Sequence, residues 1–281
     1  MGWLAACTAV EPAGVALPSL ETSPEVDHAD LDEVQRRFVD ERGLVDYRAL
    51  QRSPGRLERY YLWLTGESPD SDPSRFPTRE DELAYWINAY NASVLVVVLR
   101  HYPIASVTEV SAPFPLNLVS DKIGFFFLQQ VRLGGATTNL YDLENSLLRP
   151  RYRDPRIHFA LNCASLGCPP LPREAFTATR LDEQLDRAAR RFFALPRNLS
   201  FDHREETVYV SSILDWYESD FTGWLERNHP DRPATLLTYI SLYAPAEYEA
   251  ALLRAREEGY AVDFIEYDWR LNDQLPAHRA R

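Results

Sequence analysis

Residues 154–170 read DPRIHFALNCASLGCPP and bring a histidine, His158, close in sequence to two cysteines, Cys163 and Cys168. A thiol reacts as its thiolate, so Cys163 needs a base, a cation or a helix N-terminus beside it to become a nucleophile. So activated, it would attack an acyl or thioester-like carbonyl. The same two cysteines can instead close a small disulfide loop, structural or redox-active. Zinc is poorly served, because the cysteines are spaced wider than the usual short pair and no second ligand pair stands out. Free thiols and a disulfide both stay open; no metal and no cofactor is expected. The third cysteine, Cys7, is remote in sequence.

The positioning elements follow from local patterns. Ile157, Phe159 and Leu161 alternate with His158, Ala160 and Asn162, which predicts a short strand ending at Cys163. Gly167, Pro169 and Pro170 then enforce a tight loop. On such a strand His158 and Cys163 have opposite parity and lie about 16 Å apart, so they face opposite ways. His158 is then a hydrogen-bonded structural residue or, given a bulge, a replacement base; His101 is the other candidate base.

The longest predicted helix spans residues 79–100, with Thr78 as N-cap and Asp81 completing a capping box. Its apolar stripe makes it central, and its polar first half argues against a membrane span. Asn88 and Asn91 are unusual on such a helix and must either tie down loops or line a site. Other helices are expected over residues 29–39, 56–64, 139–149, 179–193, within 211–224, 234–243 and 247–258. Strands are expected over 123–131, followed by a turn at Gly134-Gly135, and over 207–210 and 261–267. This irregular mixture predicts an α+β class, a single domain over residues 29–281 with several helices around a small mixed or antiparallel sheet.

Three stretches carry a resemblance: ELAYWINAYN at residues 82–91, DLEN at 142–145, and the 154–170 segment itself. Together they resemble the family known as domain of unknown function 547, over a span from about Leu31 to Trp269 that includes Asp215-Trp216-Tyr217 and Tyr267-Asp268-Trp269. The resemblance implies a Glu-His pair on the helix before the cysteines. Here those positions are Glu144 and Asn145, so the histidine is replaced.

The net charge of -12 and the absence of a basic stripe exclude nucleic acid as the expected partner. Leu4-Ala5-Ala6-Cys7 resembles a lipobox, and the Pro/Ala/Ser-containing residues up to 28 read as a tether. The expectation is therefore a cell-envelope or periplasmic protein, lipid-anchored to the membrane through Cys7, or a cytoplasmic one if the lipobox is accidental. The functional expectation is a cleft built from the 79–100 helix, the Glu144 helix and the cysteine loop. Cys163 would be the nucleophile of a thiol-dependent hydrolase or acyl transferase. Glu144 would orient a partner, Asn145 or Asn162 would donate a hydrogen bond, and the chemistry would be impaired by Asn145. Trp86, Asn88, Asn91, Asn162 and Cys168 would bind a small-molecule or peptide ligand. The alternative is a non-catalytic extracytoplasmic binding or scaffolding domain.

Overall fold

The structure, a computed structural model, describes residues 26–274. The lipobox, Cys7 and all but the last residues of the expected tether lie outside the described residues.

The helix Arg79–His101 is the axis of the fold. The Thr78 side chain accepts from the Asp81 amide while the Asp81 carboxylate accepts from the Thr78 amide, so two orphan donors of the first turn are satisfied reciprocally. Glu80, Asp81 and Glu82 oppose the positive end of the helix dipole, and Arg100 and His101 its negative end. By length and composition this helix could cross a membrane, contrary to the expectation from its polar first half. What identifies it as a core helix is burial: 83% of its most apolar window is covered by the protein. Helices Ala29–Phe38 and Gly55–Gly66 pack around it in one hydrophobic cluster.

A second cluster is built from helices Leu181–Phe193, Glu218–Asn228 and Glu249–Glu258 with a small mixed sheet. In that sheet β3 (Leu199–Asp202) pairs antiparallel with β4 (Thr207–Ser211), and β4 pairs parallel with β5 (Ala261–Ile265). A separate hairpin joins β1 (Gln130–Leu133) to β2 (Ala136–Asn139) through Gly134 and Gly135, whose φ values of 55° and 82° suit a tight two-residue turn. The fold is α+β, as the sequence pattern predicts.

Two expected strands are helical turns. Residues Ile157–Ala160 form one turn, started by Asp154, whose carboxylate accepts from the Arg156 amide, and by Pro155 with its fixed φ. All four residues of the turn are buried. Ile157 and Ala160 enter the first cluster and Phe159 the second, so the turn is packed on all sides and the alternation marks no solvent face. Residues Ile123–Phe126 are likewise one turn, and strand begins only at Gln130. Here Gly124 passes so close to the Val110 carbonyl that no side chain would fit.

Asn88 and Asn91 tie down backbone. Asn88 donates to the Phe176 carbonyl and accepts from the Phe176 amide, at 2.8 and 2.9 Å. Asn91 donates to the Ala160 carbonyl at 3.0 Å and accepts from the Asn162 amide at 2.9 Å. Each amide thus replaces a missing strand partner. Asn91→Ala would strand a buried carbonyl and a buried amide, and we expect a loss of about 2–4 kcal/mol in urea unfolding. Thr78→Ala, at an exposed cap, should lose about 1 kcal/mol. Equal losses would contradict this account of Asn91.

Candidate functional site

From Ala160 the chain turns into the cysteine loop, which is held by Asn162. Its side chain donates to the Pro169 carbonyl at 2.7 Å and accepts from the Ala164 amide at 2.9 Å, closing the loop on itself. It also accepts from the Asn272 side chain at 3.1 Å, which ties the loop to the C-terminal segment. Ala164 adopts φ 63°, a left-handed conformation that this closure requires. Cys163 and Cys168 are joined in a disulfide. Residues 268–272 run across the loop, with the Gly167 amide donating to Asp268, Leu166 to Arg270, and Asn272 to the Ala164 carbonyl. A Cβ on Gly167 would lie 2.9 Å from the Tyr267 ring, so glycine is what lets this segment approach.

That approach places a phenol on the sulfurs. The Tyr267 hydroxyl lies 3.0 Å from Cys163 Sγ and 3.1 Å from Cys168 Sγ. Burial and the nearby Glu144 charge push the Tyr267 pKa well above its usual value, so the hydroxyl stays protonated and able to donate. Among the described residues no imidazole lies within hydrogen-bonding reach of either sulfur.

Glu144 sits in the π-helical stretch Leu143–Leu148, which continues a helix capped by Asn139 and is anchored by buried Leu143 and Leu148. Such stretches occur often at functional sites. The Tyr90 hydroxyl donates to Glu144 at 3.3 Å, and Tyr217 hydrogen-bonds to it as well. His158 is buried and stacked on Tyr217, with ring centroids 4.0 Å apart. Its Nε2 lies 2.8 Å from Asp220 Oδ2, and its Nδ1 lies 3.9 Å from Glu144 Oε1. Asp220 also accepts from Arg149 Nε at 2.7 Å. Burial alone would raise the Asp220 pKa, but hydrogen bonds and positive charge from His158 and Arg149 outweigh it and hold it at about 2. Asp220 is thus a carboxylate acceptor, His158 Nε2 carries the donated proton, and Nδ1 faces Glu144. Nδ1 and Oε1 are thus both acceptors, and a ligand hydroxyl can donate its one hydrogen to either of them.

These groups converge on one cavity of about 730 Å³. Glu144, Asn145, His158, Cys163 and Cys168 all line it. The separation of His158 from Cys163 onto opposite faces therefore fails, because the expected strand is a helical turn. The rest of the lining is mostly apolar or aromatic, including Phe126, Ile213, Trp216, Tyr217 and Trp269. In its lining Leu116 and Val119 are 43% and 77% exposed. On its other side His158 also borders a polar cavity of about 390 Å³ with Arg149, Arg153, Asp220 and Arg227.

Trp86, Asn88, Asn91 and Asn162 do not line the large cavity. Trp86 is packed edge-on to Tyr85, and the three asparagines hold backbone as described. His101 pairs with Gln129 at 3.0 Å, away from the sulfurs. Asn145 points to Arg149, whose Nη1 donates to it at 2.7 Å. Sequence reasoning missed Asp220, Arg149 and the apolar 116–128 segment. Trp216, Tyr217, Tyr267 and Trp269 lie within the motifs that carry the resemblance, but sequence reasoning assigned them no role at the site.

Residues 73–193 match the model of a family described as Protein of unknown function, DUF547. The matched segment carries the axial helix, Glu144, His158 and both cysteines, and is the family that the sequence motifs resemble. Tyr217, Asp220 and Tyr267 lie beyond it. No curated protein and no solved structure matches the chain.

Because the folded-state pKa of Asp220 is depressed, its contribution to stability is complete above the usual aspartate value near 3.9 and disappears as pH falls through about 2. Asp220→Asn should therefore be less stable than wild type by a constant margin from pH 5 to 7. Urea midpoints should show that margin shrinking between pH 4 and 2.5. A margin unchanged over that range would rule out the pairing.

Proposed function

We propose that this domain binds an elongated apolar small molecule, in the role of a ligand-binding domain more than of a thiol enzyme. The supporting observation is the cavity of about 730 Å³, whose size suits a drug-sized ligand and whose aromatic walls surround a small set of convergent polar groups. Glu144 or His158 Nδ1 would accept a polar hydrogen of the bound molecule. His158 is held in place by Asp220 and Tyr217 and cannot turn away without losing both contacts. The disulfide makes Cys163 part of the wall and takes away its nucleophile.

A thiol-dependent hydrolase or acyl transferase is the second reading, favoured by the placement of Cys163, His158 and Glu144 around the same cavity. It requires a dithiol reductant to deliver two electrons and two protons to the disulfide. The freed Cys163 thiolate would form a bond to an acyl carbon and expel an alkoxide or thiolate, which takes a proton from the site. Water would then release the acid. Against this, both nitrogens of His158 face carboxylates, and the Cys163 sulfur contacts a phenol that is hard to ionise. The disulfide also supports the proposal that the domain works in an oxidising compartment such as the cell envelope.

Nile red, an uncharged apolar dye, should bind the oxidised protein saturably at one site. Ile123→Trp, which fills part of the cavity, should weaken it at least tenfold with an unchanged far-ultraviolet spectrum. Absence of saturable binding would remove the binding reading. Hydrolysis of a long-chain acyl thioester that appears on reduction with dithiothreitol and vanishes in Cys163→Ser would establish the second reading in its place.

A further inference from the structure

The chain carries 30 lysines and arginines, and all but one are arginine; the exception is Lys122. This one lysine lines the large cavity. Its ammonium lies 4.4 Å from the centroid of the Trp269 ring. That indole belongs to an aromatic wall, 4.4 Å from Tyr267 and 5.9 Å from Trp216 between ring centroids. Among the described residues Lys122 forms no ion pair, whereas cavity-side Arg149 is spent on Asp220 and Asn145. A cation against a ring face recovers part of its hydration, but its three N–H donors still need acceptors.

The other fixed charge of the cavity is already answered. Glu144 accepts from Tyr90 and Tyr217 and faces His158. The charged side chain of the lining that forms no hydrogen bond or ion pair among the described residues is therefore the Lys122 ammonium, and it sits with Val119, Ser120 and Ile123 in that lining, next to the exposed apolar edge. A point charge on a flexible stem there suits the anionic head of a ligand whose apolar body lies deeper.

Resting on the apolar-cavity reading above, we propose that the ligand is an anionic amphiphile, a long-chain carboxylate, with its head paired to the Lys122 ammonium over Trp269. The chain lies between Phe126, Trp216 and Ile213, and its inner end approaches Glu144 and His158. A hydroxyl at that end would donate to His158 Nδ1 or to Glu144.

The test compares three amphiphiles of equal chain length below their micelle concentrations: dodecanoate, dodecanol and dodecyltrimethylammonium, each displacing Nile red from the oxidised protein. Dodecanoate should bind at least tenfold tighter than the other two. Lys122→Gln should weaken dodecanoate at least tenfold and change dodecanol by less than twofold, and Lys122→Arg should restore most of the difference. Since Lys122 is the only lysine, its acetylation by acetic anhydride, read on the tryptic peptide, gives an independent signal that dodecanoate should slow and dodecanol should not. Tighter binding of the ammonium amphiphile would put the head at Glu144 and overturn the proposal. So would dodecanoate affinity indifferent to Lys122→Gln, even with dodecanol bound. If none of the three binds, the apolar-cavity reading fails and this proposal with it.

Discussion

The arrangement depends on a run of buried amides crossing the protein from the axial helix to the C-terminal segment. Asn91 holds the Asn162 amide, Asn162 holds Ala164, Pro169 and Asn272, and Asn272 accepts from the Tyr47 hydroxyl at 2.7 Å. Each of these groups would be costly to bury alone, and together they satisfy one another. The network fixes three things at once: where the Ile157–Ala160 turn ends, how the cysteine loop closes, and which residues of the C-terminal segment lie over it. Tyr267 reaches the sulfurs because of this network. The asparagines that sequence reading assigned to ligand binding act one step behind the site, as the frame that positions it.

A second layer of polar contacts sets the chemistry of the cavity wall. Asp220 and Arg149 hold His158 from behind, Tyr217 covers its face, and Glu144 stands before its free nitrogen. Low dielectric strengthens each of these contacts and makes the unpaired one conspicuous. Among the described residues, two groups of this wall are left able to meet a ligand: the His158 Nδ1 lone pair and the Lys122 ammonium. In the proposed reading the first accepts a polar hydrogen and the second pairs with an anion, and both line the same mostly apolar cavity.

What the sequence showed depended on whether the signal was local. The capping box at Thr78 and Asp81, the Gly134-Gly135 turn and the amphipathic Leu181–Phe193 helix all follow from neighbours in the chain, and were legible. The Ile157–Ala160 turn was misread because alternation reports a strand only where one side is exposed. Here all four residues of the turn are buried, so neither parity marks a solvent face. That single error carried into the site, since it separated His158 from Cys163. Asp220 and Lys122 could not be found in this way at all: their meaning comes from Arg149, His158 and Trp269, which are distant in sequence, and from a cavity that exists only after folding.

Asn145 takes on a different meaning in this setting. The resemblance places a histidine there, and the direct reading is that a base has been lost. In the structure Asn145 accepts from Arg149, and Arg149 in turn holds the carboxylate that fixes His158. An asparagine at this position can accept from a guanidinium at any pH, whereas an imidazole would repel it once protonated. The substitution therefore keeps the Arg149–Asp220–His158 contacts independent of the protonation of residue 145, and leaves His158 as the one imidazole of the cavity wall among the described residues. One fixed imidazole among the described residues of the wall and the joined sulfurs both support the proposed binding reading over a thiol enzyme, so Asn145 supports it as well as the disulfide does.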